Sequence, residues 1–108
     1  MTTFSQLEIL AKEIEAKAFS SPDSSYTAKL LSRGVEKCAK KLGEEAVELV
    51  IAAVEKNKIE TAREAADVFY HLLVLLQAAG VSPSAVMDEL KRREGTSGLA
   101  EKASRPHD

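Results

Sequence analysis

The chain has 108 residues, of which 44% are hydrophobic and 30% charged, and a formal net charge of −2. That length suits one small domain, and that composition reads as soluble and globular, not disordered. The near-neutral balance gives no electrostatic reason to expect nucleic acid or an anionic membrane as a partner, and no apolar run reaches the ~20 residues that cross a bilayer.

Aromatic residues make up 5% of the chain and Trp is absent, so the core must be aliphatic. The single cysteine, Cys38, excludes an intramolecular disulfide and fits a reducing, cytoplasmic setting. Cys38 continues an apolar helical face and so reads as core packing, not as a nucleophile. The opening "MTTFSQLEIL" lacks a basic region followed by an apolar run, so no signal peptide is expected.

In chain order, Phe4, Leu7, Leu10, Ala11, Ile14 and Ala18 recur at helical spacing and predict an amphipathic helix. "SSPDSSYT" breaks it. Ser25 or Thr27 can then cap a short helix, "AKLLSR", which Gly34 ends. Val35, Ala39, Leu42, Ala46, Leu49 and Ala53 alternate steps of four and three, the mark of a bundle seam, on a helix over about 35–56. Val47, Ile51 and Val54 form a second apolar strip, so this helix is expected to be covered on two sides. The next helix spans about 59–79 and ends at Gly80. Ser82 and Pro83 are a cap and first-turn pair for a last helix, "SPSAVMDELKRR". "EGTSGLAEKASRPHD" reads as a mobile polar tail that orders on a ligand. Nothing alternates like a strand. The expected fold is all-α, an antiparallel bundle of about five helices over residues 1–94, with the tail over 95–108.

Two acid clusters stand out. At 100° per residue, Glu44, Glu45 and Glu48 fall on one arc between the two apolar strips, and Glu64, Asp67 and His71 share an arc on the next helix. Glu45 with Glu48, and Glu64 with Asp67, are pairs at i, i+3. With a short connection, antiparallel packing brings Glu48 to the height of Glu64, and Glu45 to that of Asp67. Asp67 sits in a helix that is apolar almost all round from Ala65 to Ala79, so it needs a partner. Four facing carboxylates repel unless a cation lies between them, and an all-oxygen set selects Mg²⁺ or Mn²⁺ over zinc. Read blandly, "EEAVE" is a solvated face paired with Lys40 and Lys41, and His71 an interhelical histidine whose ring is satisfied locally.

The spacing E-E-x-x-E, fifteen residues, then E-x-x-D, seen in "EEAVE" at 44–48 and "EAAD" at 64–67, resembles the all-α nucleoside triphosphate pyrophosphohydrolases of the MazG type. "SYT", "KKLGEE", "YHLLVLL" and "SGLAEKASR" narrow the resemblance to the phosphoribosyl-ATP pyrophosphohydrolases, from about Ser25 to Arg105.

That resemblance implies the second reaction of histidine biosynthesis, in which phosphoribosyl-ATP is split between its α- and β-phosphates into phosphoribosyl-AMP and pyrophosphate. It implies a homodimer, and in a chain this short a stand-alone enzyme without a fused cyclohydrolase. Mg²⁺ would be held by Glu45, Glu48, Glu64 and Asp67. Glu44 would complete the catalytic set by orienting the attacking water or by binding a second ion. Ser25, Tyr26, Thr27, Lys41 and His71 are candidates to meet the substrate, together with Arg93, Lys102 and Arg105 near and in the tail. Two rival readings remain: a house-cleaning nucleotide pyrophosphatase with the same metal site, and a metal-free helical dimerisation module.

Overall fold

Six helices and no strand make up residues 4–106, the part of the chain that the computed structural model describes. They are α1 (Ser5–Lys17), α2 (Tyr26–Ser32), α3 (Val35–Val54), α4 (Lys58–Ala79), α5 (Pro83–Arg92) and α6 (Gly98–Ser104). The all-α expectation holds. The first three residues, where the reading against a signal peptide begins, and the last two of the tail lie outside the described residues.

A helix start leaves backbone N–H groups without partners, and four of these starts supply a side-chain acceptor. Ser25 accepts from the Ala28 N–H at 3.1 Å, Asn57 from Glu60 at 3.0 Å, Ser82 from Ala85 at 3.2 Å and Ser97 from Ala100 at 3.1 Å. Gly80 stops α4 in the left-handed region, φ +72°, which a side chain would strain. There the Gly80 and Val81 N–H groups return to the carbonyls of Gln77 and Leu76.

The dominant packing is between α3 and α4, joined by only Glu55, Lys56 and Asn57, with α1 and α2 laid against them. The buried core is Ile14, Leu30, Cys38 and Val74, one residue from each of these four helices, and Leu10, Tyr70, Leu73 and Leu75 pack on it. Cys38 is 1% exposed, its thiol points at the Leu30 carbonyl at 3.4 Å, and burial pushes its pKa up. All three facts make it a core residue and not a nucleophile.

Three expectations are corrected. The predicted seam on α3 holds in its middle, where Leu42, Ala46 and Leu49 are half-buried, but Cys38 and Ala52 are the buried residues, whereas Val35, Ala39 and Ala53 are exposed. At the start of α3, Cys38 joins Ile14 of α1 and Leu30 of α2 in the core. The second strip has no cover among the described residues, since Val47, Ile51 and Val54 are 58%, 51% and 74% exposed. The tail, expected to be mobile and to order on a ligand, contains α6 without one, because Ser97 caps it and Glu101 ties it to Arg92 of α5 at 2.7 Å.

The α5–α6 unit stands apart. α5 leaves α4 at 106° and buries none of its residues. The radius of gyration, 15.8 Å, exceeds the roughly 13 Å of a compact chain of this length for the same reason. No single helix among the described residues is long and apolar enough to cross a membrane.

Candidate functional site

The face of α3 that meets α4 is not apolar throughout. Cys38, Glu45 and Ala52, spaced by sevens, lie along it. Such spacing keeps a residue on a helix contact face, so the fold carries Glu45 inward with its neighbours. On α4 the positions Glu64, Val68, His71 and Leu75 alternate steps of four and three, so Glu64 and His71 are set into that helix's inner face in the same way.

Antiparallel packing then brings acid to acid. Glu45, Glu48 and Glu64 each offer an oxygen, and the three oxygens lie within 4.8 Å of one another. Glu48 is within hydrogen-bonding reach of both of the others. Contact between carboxylates needs a proton or a cation in between. The Glu45 carboxyl is pushed up to about 7, first by burial, then by the Glu48 contact and the charges of Glu48 and Asp67, with Lys41 opposing. Glu64 is raised too, by burial, by Glu48 and by Asp67.

Oε2 of Glu45 and Oε2 of Glu64 are buried without a hydrogen bond among the described residues. A buried acceptor left unpaired costs about 1–3 kcal/mol, and more when charged. A hard divalent cation would remove the repulsion and satisfy both atoms, and an all-carboxylate donor set suits Mg²⁺ or Mn²⁺. The residues therefore fit such an ion. Asp67, the fourth expected ligand, is not one of the three residues whose oxygens converge. It is exposed, contrary to the expectation that its apolar helix would take it out of water, but its charge acts on both Glu45 and Glu64.

The other candidates divide by location. Glu44 lies outside the tight group, half exposed, with its carboxylate 3.6 Å from Lys41. Lys41 also stands 3.9 Å from Glu45, which makes it the cation of this neighbourhood. His71 is buried beside the acids, and its Nδ1 lacks a partner among the described residues. Burial and Lys41 lower its pKa against the pull of Asp67, so the ring is neutral at neutral pH.

Ser25 and Thr27 are already engaged, Ser25 as the cap of α2 and Thr27 through a 2.6 Å hydrogen bond between its hydroxyl and that of Tyr70. Tyr26 is exposed beside them. Arg93, Lys102 and Arg105 lie on or beyond α5, away from the four packed helices. Arg93 and Arg105 turn toward Glu101, at 3.8 and 3.4 Å.

Sequence reasoning missed Glu101 and Arg92. Glu101 is 6% exposed in a ring of three arginines. Burial favours its protonation, but Arg92, Arg105 and Arg93 outweigh burial and hold its pKa low. The signal was present: Ser97 before a run of helix formers that includes Glu101.

Comparison with known proteins adds an independent line. Residues 7–94 match the family described as phosphoribosyl-ATP pyrophosphohydrolase. A protein of Cereibacter sphaeroides called phosphoribosyl-ATP pyrophosphatase is 61% identical over 101 residues, which cover 94% of this chain and 98% of that protein. Proteins of the same name from Rhodobacter capsulatus and Methylobacterium radiotolerans are 56% and 57% identical, over 92% and 97% of this chain and 96% and 97% of theirs.

The raised carboxyls set a pH dependence. A carboxyl whose pKa is higher folded than unfolded binds more protons in the native state between the two values, so stability falls as pH rises through that window. For Glu45 the window runs from the ordinary 4.5 to about 7. Metal-free protein is expected to lose thermal stability between pH 5 and pH 7.5, and Glu45→Gln to flatten that loss. Saturating Mg²⁺ at pH 7.5 should raise the unfolding midpoint by about 10 °C. Differential scanning fluorimetry across pH, with and without Mg²⁺, reads all three effects.

Proposed function

The chain belongs to the phosphoribosyl-ATP pyrophosphohydrolase family, and from that premise we propose that it hydrolyses phosphoribosyl-ATP to phosphoribosyl-AMP and pyrophosphate. The reading includes Mg²⁺ as the cofactor, with Mn²⁺ as a substitute, and places the reaction as the second step of histidine biosynthesis in the cytoplasm. The observation that carries it is the pair of buried, unpaired oxygens on Glu45 and Glu64 within a group of carboxylates.

Glu45, Glu48, Glu64 and Asp67 would hold the ion, which would neutralise phosphate charge and acidify a water molecule. The residues around it do the remaining work. Hydrolysis of a phosphoric anhydride proceeds by in-line attack of water on phosphorus, so positioning and charge compensation dominate. Lys41, between Glu44 and Glu45, brings positive charge to the edge where a triphosphate would lie. Glu44 is half exposed and outside the tight group, so its free oxygen can accept a proton from the attacking water and orient it. Neutral His71 offers a ring nitrogen to a substrate oxygen. Arg93, Lys102 and Arg105 supply further positive charge from the α5–α6 unit.

The decisive assay is pyrophosphate release from phosphoribosyl-ATP, with and without Mg²⁺, beside a panel of ordinary and modified nucleoside triphosphates. Mg²⁺-dependent turnover of phosphoribosyl-ATP alone is expected, and Glu64→Gln should lower kcat by about a hundredfold or more. Turnover of another nucleotide instead would move the chain to the house-cleaning reading. Absence of any turnover would leave a helical dimerisation module.

A homodimer is part of the same proposal. Val47, Ile51, Val54 and Ile59 expose a strip of apolar surface at the linked ends of α3 and α4, and surfaces of that kind mark interaction sites. Sedimentation equilibrium should give twice the 11.7 kDa chain mass, and Ile51→Glu should shift the protein to the single-chain mass. A single-chain mass for the wild type would contradict the dimer.

A further inference from the structure

Beside the carboxylates lies a cavity that the proposed phosphate chemistry does not use. It has a volume of about 330 Å³ and opens between α1, the loop before α2 and Tyr70 of α4. Glu13 and Lys17 stand on the α1 side, Ser25 and Tyr26 on the other, and Ile14 with Tyr70 belongs to the core side.

The two tyrosines are held very differently. Tyr70 is fixed from two directions: its hydroxyl meets the Thr27 hydroxyl at 2.6 Å, and its ring lies edge-on to His71 with centroids 5.0 Å apart. Tyr26 is 56% exposed, although its ring lies nearly parallel to Tyr70, at 18° and 6.4 Å between centroids. An aromatic face turned to water beside a cavity leaves most of its stacking capacity unused. Flat π-systems, nucleobases above all, take up that capacity whatever their sequence or substituents.

The cavity also adjoins the acids. Tyr70 precedes His71 in the chain and touches its ring, and His71 feels the charges of both Lys41 and Asp67. Lys41 in turn stands 3.9 Å from Glu45. Tyr70 and His71 thus link the aromatic wall of the cavity to the neighbourhood of the acids. The volume lies at the low end of ligand pockets, which run from about 300 to 1,000 Å³. It has room for a purine with part of its sugar, not for a whole nucleotide with a triphosphate. Ser25 and Thr27 have their hydroxyls engaged in the fold, so the exposed Tyr26 ring is the flat surface offered at this end.

We propose that this cavity receives the purine of the substrate against the face of Tyr26, while its phosphates lie toward Lys41 and the cation that the carboxylates would hold. Lys17 at the rim faces the anionic sugar-phosphate carried by that base, and Glu13 offers an acceptor to a nitrogen-bound hydrogen on it. The assignment rests on the hydrolase reading above and adds to it the place of the base.

Tyr26 is exposed, so its truncation should not disturb folding. Tyr26→Ala is expected to raise KM for phosphoribosyl-ATP about tenfold or more. Its kcat should stay within about threefold of wild type, and its unfolding midpoint should not move. Tyr26→Phe keeps the ring and should restore the wild-type KM. Wild-type turnover together with an unchanged KM in Tyr26→Ala would overturn the base site while leaving the hydrolase reading intact. Nuclear magnetic resonance titration with AMP in the absence of divalent ions reads the cavity independently of turnover. Shifts at Tyr26 and Tyr70 with AMP, and none there with inorganic pyrophosphate, support the assignment. Equal responses to both ligands, or none to AMP, overturn it.

Discussion

Carboxylate oxygens buried without a hydrogen bond among the described residues are the constraint around which this molecule is arranged. Glu45 and Glu64 occupy positions on the α3–α4 contact where a leucine would add stability, and each has a buried oxygen with no hydrogen bond among the described residues. Their repulsion opposes the packing that brings them together. Folded chains keep such arrangements where function requires them, and functional sites are where local rules of stability are broken. The raised pKa values of both groups are the electrostatic record of that opposition.

The rest of the bundle is built to tolerate this. A three-residue connection fixes α3 against α4, and a short link favours antiparallel neighbours. One core residue from each of α1, α2, α3 and α4 closes the opposite end, around Cys38 and Val74. The Thr27–Tyr70 hydrogen bond ties α2 to α4 next to His71. The acids therefore lie between a well-packed end and an end whose apolar side chains face outward. Those outward residues, with the α5–α6 unit projecting at 106°, give the single chain more apolar surface than a small domain of this length needs, which is why a second copy belongs to the functional reading.

Much of this was legible in the sequence, because two periodicities and a few caps carry most of the information. Ser82 before Pro83, Gly80 after α4 and the i, i+3 acid pairs all predicted local structure from local chemistry, and local chemistry decides it. The seam on α3 was harder. Cys38 is buried in place of Val35 because Ile14 of α1, Leu30 of α2 and Val74 of α4 gather around it, and those partners lie on other helices. α6 escaped notice because its glycine and serine look like a loop until Arg92 supplies a partner for Glu101. The exposure of Asp67 had the same origin, since a helix that is apolar in composition is not thereby enclosed. The near-parallel tyrosines at the cavity follow from the meeting of α2 with α4, which no spacing within either helix records.

The central claim is that the unpaired oxygens of Glu45 and Glu64 belong to a divalent-cation site. Electron paramagnetic resonance of Mn²⁺ titrated into the metal-free protein tests it most directly, because only the unbound ion gives the full solution signal. Wild-type protein is expected to take Mn²⁺ out of that signal, with Mg²⁺ competing, and both Glu45→Gln and Glu64→Gln to bind it at least about tenfold more weakly. An undiminished signal with the wild type, or wild-type affinity in both variants, would contradict the account and leave the buried acids to share protons among themselves.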